Sequence, residues 1–481
     1  MEKYPNINIL INVPQNYIPK AEFVLRTYCY ILRLNPKFYY KQHTEGIHIY
    51  YGVYNTHNYP VRIHFQPDTA EFFDGLELYP LEKVNFRKFN REFIPFLFSQ
   101  NGEIYTLYED FCAIRKDIVA SGFYFLSCWP EYILSCRGLA KSRVDFKNSL
   151  QYRWGFTEIP VVDIYCRILF KVISILLPEY VRDLHWQDGK DFAVALSHDI
   201  DYWNYWTREH LHKTYRYNLS TIYKRPLRAV YKLLCHFVSK AISNNPKSKI
   251  KKLMKKEEKR RVRSTWFLMA KDDYPDSRQN YITNPEYREQ IKELLQDKDV
   301  GMHGSPEAAF DLDVLKREMS VLQELGFNPI GFRTHYLHFD YQKSFAVLEQ
   351  AGIKYDSSLG YWEHIGYRAG TSFPFYPFNI KENRPFQVLE IPLAVMDTTL
   401  LSKNAMNLNV FSARLRLSDL ISRSAAYNSL LTLLWHNNTF DKIDYPGWGG
   451  LYWRTINNAK KRNARITDLK SIYEEWVNLS F

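Results

Sequence analysis

The stretch AVALSHDIDYW, residues 193–203, decides how this chain is read. An apolar run, Ala193 to Leu196, has the look of a buried strand, and it stops at Ser197. His198, Asp199 and Asp201 follow at once. A strand that delivers two carboxylates and an imidazole to its C-terminal tip belongs to a fold that does chemistry at its strand ends. Parallel sheets and barrels covered by helices are such folds.

The residues downstream keep that pattern. STWFLMA (264–270), VGMH (300–303), IGFRTH (330–335), IKYDSS (353–358), VLEIPLAVM (388–396) and LLTLLWH (430–436) read as strands. PEYREQIKELLQD, DLDVLKREMSVLQELG and KSFAVLEQAG read as amphipathic helices between them. Apolar strands alternating with helices predict an α/β fold with a parallel sheet or barrel. Asp199 and Asp201, His303, Arg333 and His335, Asp356 and His436 each follow a candidate strand.

At 481 residues the chain is long enough for two domains. Residues 1–185 read as a separate mixed α/β unit, with NINILINV, GIHIYYGV and VRIHFQ as strands and AEFVLRTYCYILRL as a helix. Its histidines, His43, His48, His57 and His64, are scattered and form no catalytic constellation. WQDGKDF (186–192) is a turn-rich boundary, and residues 190–481 form the second unit. The apolar segment 159–180 is broken by Asp163, Arg167 and Lys171 at near-helical spacing, which predicts a core helix and not a membrane span. The six cysteines form no C-x-x-C pair, and MEKYPNINILINV lacks the pattern of a secretory signal. Both point to a reducing, cytoplasmic setting.

Carboxylate plus imidazole is a ligand set that suits Zn²⁺, with Co²⁺ or Fe²⁺ as alternatives, and leaves positions open for water. On an extended chain the spacing of Asp199 and Asp201 sends both side chains to one face, so one can ligate while the other acts as base. In VGMHGSPEAAFD (300–311), His303 and Glu307 stand four residues apart and can aim at a common ion. His436 has no carboxylate near it in sequence and suits a general acid.

Taken in order, these segments resemble the polysaccharide deacetylase family, whose members carry a NodB-type, chitin-deacetylase-like catalytic domain. ALSHDID matches its aspartate-bearing strand and HGSPE its His-(Ser/Thr)-x-x-His segment. RTHY (333–336) matches its Arg-x-Pro-Tyr segment, YDSSLGY (355–361) its Asp-containing segment and LLWH its late Leu-x-His. The likeness covers roughly 190–440. It implies a distorted (β/α) barrel of about seven strands and metal-dependent hydrolysis of an acetyl group, N-acetyl first, on a sugar of a bacterial surface polysaccharide or its precursor. It further implies Asp199 as base, Arg333 as the residue orienting it, His436 as acid, and Asp201 and His303 as metal ligands. Two positions depart from the family. Glu307 stands where the second metal histidine belongs, and His335 replaces the proline. Glu307 is therefore the expected third ligand, with His198, His335 or His338 as alternative imidazoles. The region before 190, notably ASGFYFLSCWPEY, resembles a domain of unknown function that precedes deacetylases in surface-glycan systems.

The formal net charge is +12, and one segment carries the excess. Between Arg208 and Arg263, eighteen Lys or Arg stand against three Asp or Glu. Apolar residues such as Leu227, Val230, Leu234 and Phe237 recur there at helical spacing. A basic amphipathic insertion at 205–263 is expected, able to contact an anionic inner-membrane surface near a lipid-linked glycan. No nucleic-acid-binding fold is visible. Two rival readings stand beside the acetyl hydrolase: a glycosyltransferase using D-x-D to hold Mn²⁺ and a nucleotide diphosphate, and a catalytically inactive glycan-binding or scaffold module.

Overall fold

The computed structural model describes residues 4–478, apart from 41–44, 54–58, 100–101, 140–145 and all but five positions of 206–245. The chain builds two main sheets. The first uses β1 (Asn6–Asn12), β2 (Asn35–Tyr40), β3 (Ile49–Gly52) and β4 (Val61–His64). A hairpin of β5 (Asn85–Phe89) and β6 (Glu92–Phe96) stands apart, and β7 (Tyr105–Leu107) and β8 (Cys112–Ile114) complete the sheet. Its order is β2-β1-β3-β4-β8-β7, parallel except for the last pair.

The second sheet begins with β9 (Phe192–Ile200), β10 (Thr265–Met269), β11 (Asp299–Gly304), β12 (Gly331–Thr334) and β13 (Tyr355–Asp356). After a small hairpin, β14 (Phe378–Asn379) with β15 (Arg384–Pro385), come β16 (Leu389–Glu390), β17 (Val395–Met396), β18 (Leu430–Leu434) and β19 (Ala464–Asp468). Eight of these run in the order β16-β13-β12-β11-β10-β9-β18-β17, and β19 also pairs with β9. The described pairings in this sheet are parallel.

That order forces the sheet to curl. At about 4.8 Å between strands, the edges of eight flat strands would lie roughly 34 Å apart. Yet β16 and β17 are the two edges, and residues 391–394 alone join them. Such a link reaches at most roughly 18 Å. The result is a curled, half-barrel parallel sheet with one strand more along its path than the seven expected. VLEIPLAVM, read as one strand, splits into β16 and β17 to make this closure.

Every residue of β9 is buried, because the strand is covered on both faces. Ala193 and Ala195 face one core, while Phe192, Val194 and Leu196 face the other, under helices Val410–Ala426 and Trp448–Lys461. Gly301 and Gly304 stand near His303 for a steric reason: a Cβ at Gly301 would run into the Phe267 ring, and one at Gly304 into the Phe332 ring.

The boundary at 186–192 separates sheets but not cores. One continuous apolar cluster runs from Tyr4 to Trp476. Phe23 and Phe123 pack on Phe378. Buried Arg368 makes a fork to Glu131, at 2.9 and 2.7 Å. Asp163, on the core helix Val161–Leu176, accepts from Thr371 and Ser372. The apolar segment DIVASGFYFLSCWPEYILS forms two helices, Ile118–Leu126 and Trp129–Cys136, broken at Cys128 with φ 46°.

Of the basic insertion, most of 206–245 lies outside the described residues, including Leu227 and Phe237. Helix Pro246–Lys259 buries Ile250, Leu253 and Met254 and turns Lys251, Lys252, Lys255, Lys256 and Lys259 to solvent. No helix among the described residues is long and apolar enough to cross a membrane.

Candidate metal and acid–base centre

The strand register assembles the site. Phe267 of β10 lies opposite Asp199, and Arg333 of β12 lies opposite His303 of β11. Alternation along β9 turns Ser197 and Asp199 toward the sites of β11 and β12, and sends His198 to the opposite face. There His198 bonds the Trp435 carbonyl at 2.7 Å and Glu257 at 3.1 Å, a buried structural role.

Asp201, His303 and His335 present ligand atoms that all lie within 4.8 Å of one another. His303 Nε2 is 3.4 Å from Asp201 Oδ1, and His335 Nε2 is 3.9 Å from the same oxygen. His303 Nδ1 sits 3.0 Å from the Arg333 carbonyl. That contact makes Nδ1 the donor and turns the Nε2 lone pair toward the other ligands. Asp201 Oδ1, His303 Nε2 and both ring nitrogens of His335 are buried without a hydrogen-bond partner. Buried polar atoms left unpaired are costly, and one divalent cation could satisfy Asp201 Oδ1, His303 Nε2 and a single ring nitrogen of His335 together. Carboxylate plus two imidazoles is a donor set that fits such an ion.

His335 reaches the group through a strained turn. Tyr336 and Leu337 both take left-handed backbone, with φ of 61° and 52°. The Tyr336 ring stacks on His335 at 3.6 Å. Non-glycine residues held this way mark sites where the surroundings impose a conformation.

Glu307, expected as third ligand, stands apart from the group. Its carboxylate is exposed and pairs with Lys271 Nζ at 3.2 Å. The extended turn after β11 carries it outward, so the four-residue spacing from His303 never becomes one helical face. His335 stands in the group instead, and His338 is not part of it.

Asp199 lies beside the group, with Oδ2 3.6 Å from His303 Nε2. Its other oxygen, Oδ1, accepts from Arg333 Nη1 at 2.9 Å. Arg333 is wholly buried, donates also to Ser197 Oγ and to the Ser357 carbonyl and hydroxyl, and lies over the Phe267 ring. Asp356, also at a strand end, turns away to Ser358 and Glu390.

His436 closes the site from β18, with Nε2 3.8 Å from Asp201 Oδ2. Its Nδ1 lies 2.6 Å from Asp397 Oδ1, and its backbone N–H donates to Asp397 Oδ2 at 2.9 Å. Thr439 also donates to Asp397. Asp397 is the residue that reading along the sequence missed, because a whole helix separates it from His436 in the chain. The signal was there: PLAVMD, residues 392–397, places it directly after an apolar strand.

Burial alone would lower the His436 pKa, but Asp397 and Asp201 outweigh it and raise it to about 10. Burial pushes His335 down to about 3, so its imidazole is neutral. Burial works against an ionised Asp201, yet His436, His303 and His335 hold it below the usual carboxylate range.

Residues 9–178 match a family described as of unknown function, DUF7033. Among curated proteins, none matches the chain significantly. Among solved structures, one from Mycobacterium smegmatis described as a polysaccharide deacetylase aligns at TM-score 0.40 and 16% identity, covering 61% of this chain and 92% of its own. That likeness is too loose to argue an activity. The site geometry stands without it: a carboxylate and two imidazoles fit for a divalent ion, flanked by an arginine-clamped carboxylate and a carboxylate-held histidine.

Proposed function

We propose that this chain is a metal-dependent hydrolase that removes an acetyl group from a sugar of a surface glycan or its precursor, with an N-acetyl group as first choice. The observation that supports it is the convergence of Asp201, His303 and His335, through unpartnered atoms, beside Asp199 and His436. Asp201, His303 and His335 would hold the ion, zinc first and cobalt or iron as alternatives. Such an ion polarises a carbonyl and acidifies water.

The remaining steps belong to the chain. Asp199, one oxygen tied to Arg333, keeps the other toward the site and takes the proton of the attacking water. The water oxygen bonds to the acetyl carbon, and the C–N bond then breaks. His436, steadied by Asp397, gives its proton to the departing amine nitrogen. Acetate and the free amino sugar are the products. The D-x-D transferase reading leaves His303, His335 and the His436–Asp397 pair without work.

We also place the protein in a reducing compartment. Cys29, Cys112, Cys128, Cys136 and Cys166 are free thiols. Its contact with an anionic membrane would run through the basic insertion, where Val230 and Leu234 are 45% and 60% exposed. Co-sedimentation with anionic vesicles tests that contact, and equal pelleting of a charge-neutralised insertion would end it.

The deciding experiment pairs metal analysis with acetate release from N-acetylglucosamine oligosaccharides. One ion per chain and acetate release lost in Asp199→Asn are expected. A purified chain that takes up no zinc, cobalt or iron would sink the hydrolase.

A further inference from the structure

A groove of about 800 Å³ opens beside the acid–base centre. Its near wall is made by the residues that follow the site: Tyr202 after Asp201, and Asn437 after His436, joined by Asn437 Nδ2 donating to the Tyr202 carbonyl at 2.7 Å. The volume lies within the roughly 300–1,000 Å³ of clefts that hold small organic ligands.

Three features of the lining point to one kind of occupant. Along one side runs helix Pro246–Lys259, with Lys249, Lys252 and Lys256 facing the groove, and Lys442 stands with them. Asp441 pairs Lys249 at 3.3 Å. Lys252, Lys256 and Lys442 are exposed, and among the described residues no carboxylate lies within ion-pair distance of them. The aromatic rings of Tyr202, Tyr205, Tyr445 and Trp453 give flat apolar surface with polar edges. The side-chain oxygens of Asn437 and Asn438 are buried without a hydrogen-bond partner. Unpaired amide acceptors at a cleft wall call for hydroxyl or N–H donors.

We propose that this groove seats an acidic sugar chain, its rings on the tyrosines and Trp453, its hydroxyls on Asn437 and Asn438, and its anionic groups on Lys252, Lys256 and Lys442. A bilayer surface fits less well. It is flat, whereas the unpartnered oxygens lie inside a concave wall. The inference rests on the hydrolase reading only in taking the groove as the approach to the reacting sugar, and it names the substrate class as a polyanionic glycan.

The test reads binding without turnover, so its failure and that of the hydrolase are separable. Calorimetry on the full chain compares a hyaluronan tetrasaccharide, in which N-acetylglucosamine alternates with a carboxylated sugar, with neutral chitotetraose. The wild type binds the acidic sugar about tenfold more tightly at low salt, the sum expected of three exposed charge pairs. Added salt narrows the difference. In the triple variant Lys252→Gln, Lys256→Gln, Lys442→Gln the preference disappears, while the triple arginine variant keeps it. Equal affinity of the wild type for both sugars overturns the proposal. So does an acid preference that survives in a folded glutamine variant. Anionic phosphatidylglycerol vesicles that engage these lysines, with no tetrasaccharide bound, give the surface to a membrane instead. A chain that binds the acidic sugar but releases no acetate leaves the groove standing and removes the hydrolase.

Discussion

Arg333 Nη1 lies 2.9 Å from Oδ1 of Asp199, and both side chains are buried at the strand ends of the curled sheet. The pair is a pre-set arrangement: a carboxylate on β9 whose orientation and countercharge come from β12, across the two strands between them. Burying a carboxylate is tolerable only with such a partner. Arg333→Ala should therefore destabilise the fold by about 3–5 kcal/mol, the usual cost of leaving one member of a buried pair alone. Arg333→Lys should recover part of that, because lysine cannot serve Asp199, Ser197 and Ser357 at once. Chemical denaturation of the two variants checks the order. Equal stability of alanine and wild type would contradict it.

Metal uptake separates the two third-ligand assignments. His335→Ala, His303→Ala and Asp201→Ala should each lower bound zinc at least about tenfold, as measured by elemental analysis after dialysis. Glu307→Ala should leave the metal content unchanged, since its carboxylate belongs to Lys271. Stripping the ion should lower the melting temperature of the wild type, and zinc should restore it.

Asp397→Asn should cut kcat by roughly 10²–10⁴-fold with a small change in KM. The amide keeps the volume but no longer holds the His436 imidazole with a charge, and it offers Nδ1 the wrong hydrogen-bond partner in one of its two orientations. A variant in which KM rises and kcat holds would assign Asp397 to substrate binding.

Asp163 gives the fold a pH dependence of its own. Burial raises its pKa to about 7, against the hydrogen bonds from Ser372 and Thr371. An acid with a raised folded pKa is protonated in the native state while the unfolded chain has already lost that proton, between about pH 4 and pH 7. Its contribution to stability is thus fully present below about pH 4 and is lost as pH rises to about 7. Asp163→Asn, which cannot ionise, should remove this component. The variant's stability relative to wild type should grow across that window, by up to about 1.4 kcal/mol for each step of one in pH. Thermal unfolding from pH 4 to 8 measures it, and parallel curves would refute it.

Much of this protein could be read from its chain. The alternation of apolar runs and amphipathic helices after residue 190 is a local property, and it placed β9, β10, β11, β12 and β18. The period of two along ALSHDID put Asp199 and Asp201 on one side, because a strand turns successive side chains to opposite faces. His303, Arg333 and His436 were legible as strand-end residues for the same reason.

Tertiary structure alone decided the remainder. Whether Glu307 or His335 joins Asp201 and His303 depended on side-chain direction beyond the strand. A turn aims Glu307 at Lys271, and left-handed residues after His335 aim its ring inward. Asp397 reaches His436 across 39 positions because β17 and β18 are neighbours in the sheet. The joint core of the two halves is of the same kind: Arg368 meets Glu131 and Phe378 meets Phe123 across stretches of chain that no local pattern spans. Local sequence sets strand and helix because backbone preference and side-chain alternation act over a few residues. Ligand choice, charge pairing and the seam arise from contacts that the chain makes with itself at a distance, and those exist only once it has closed.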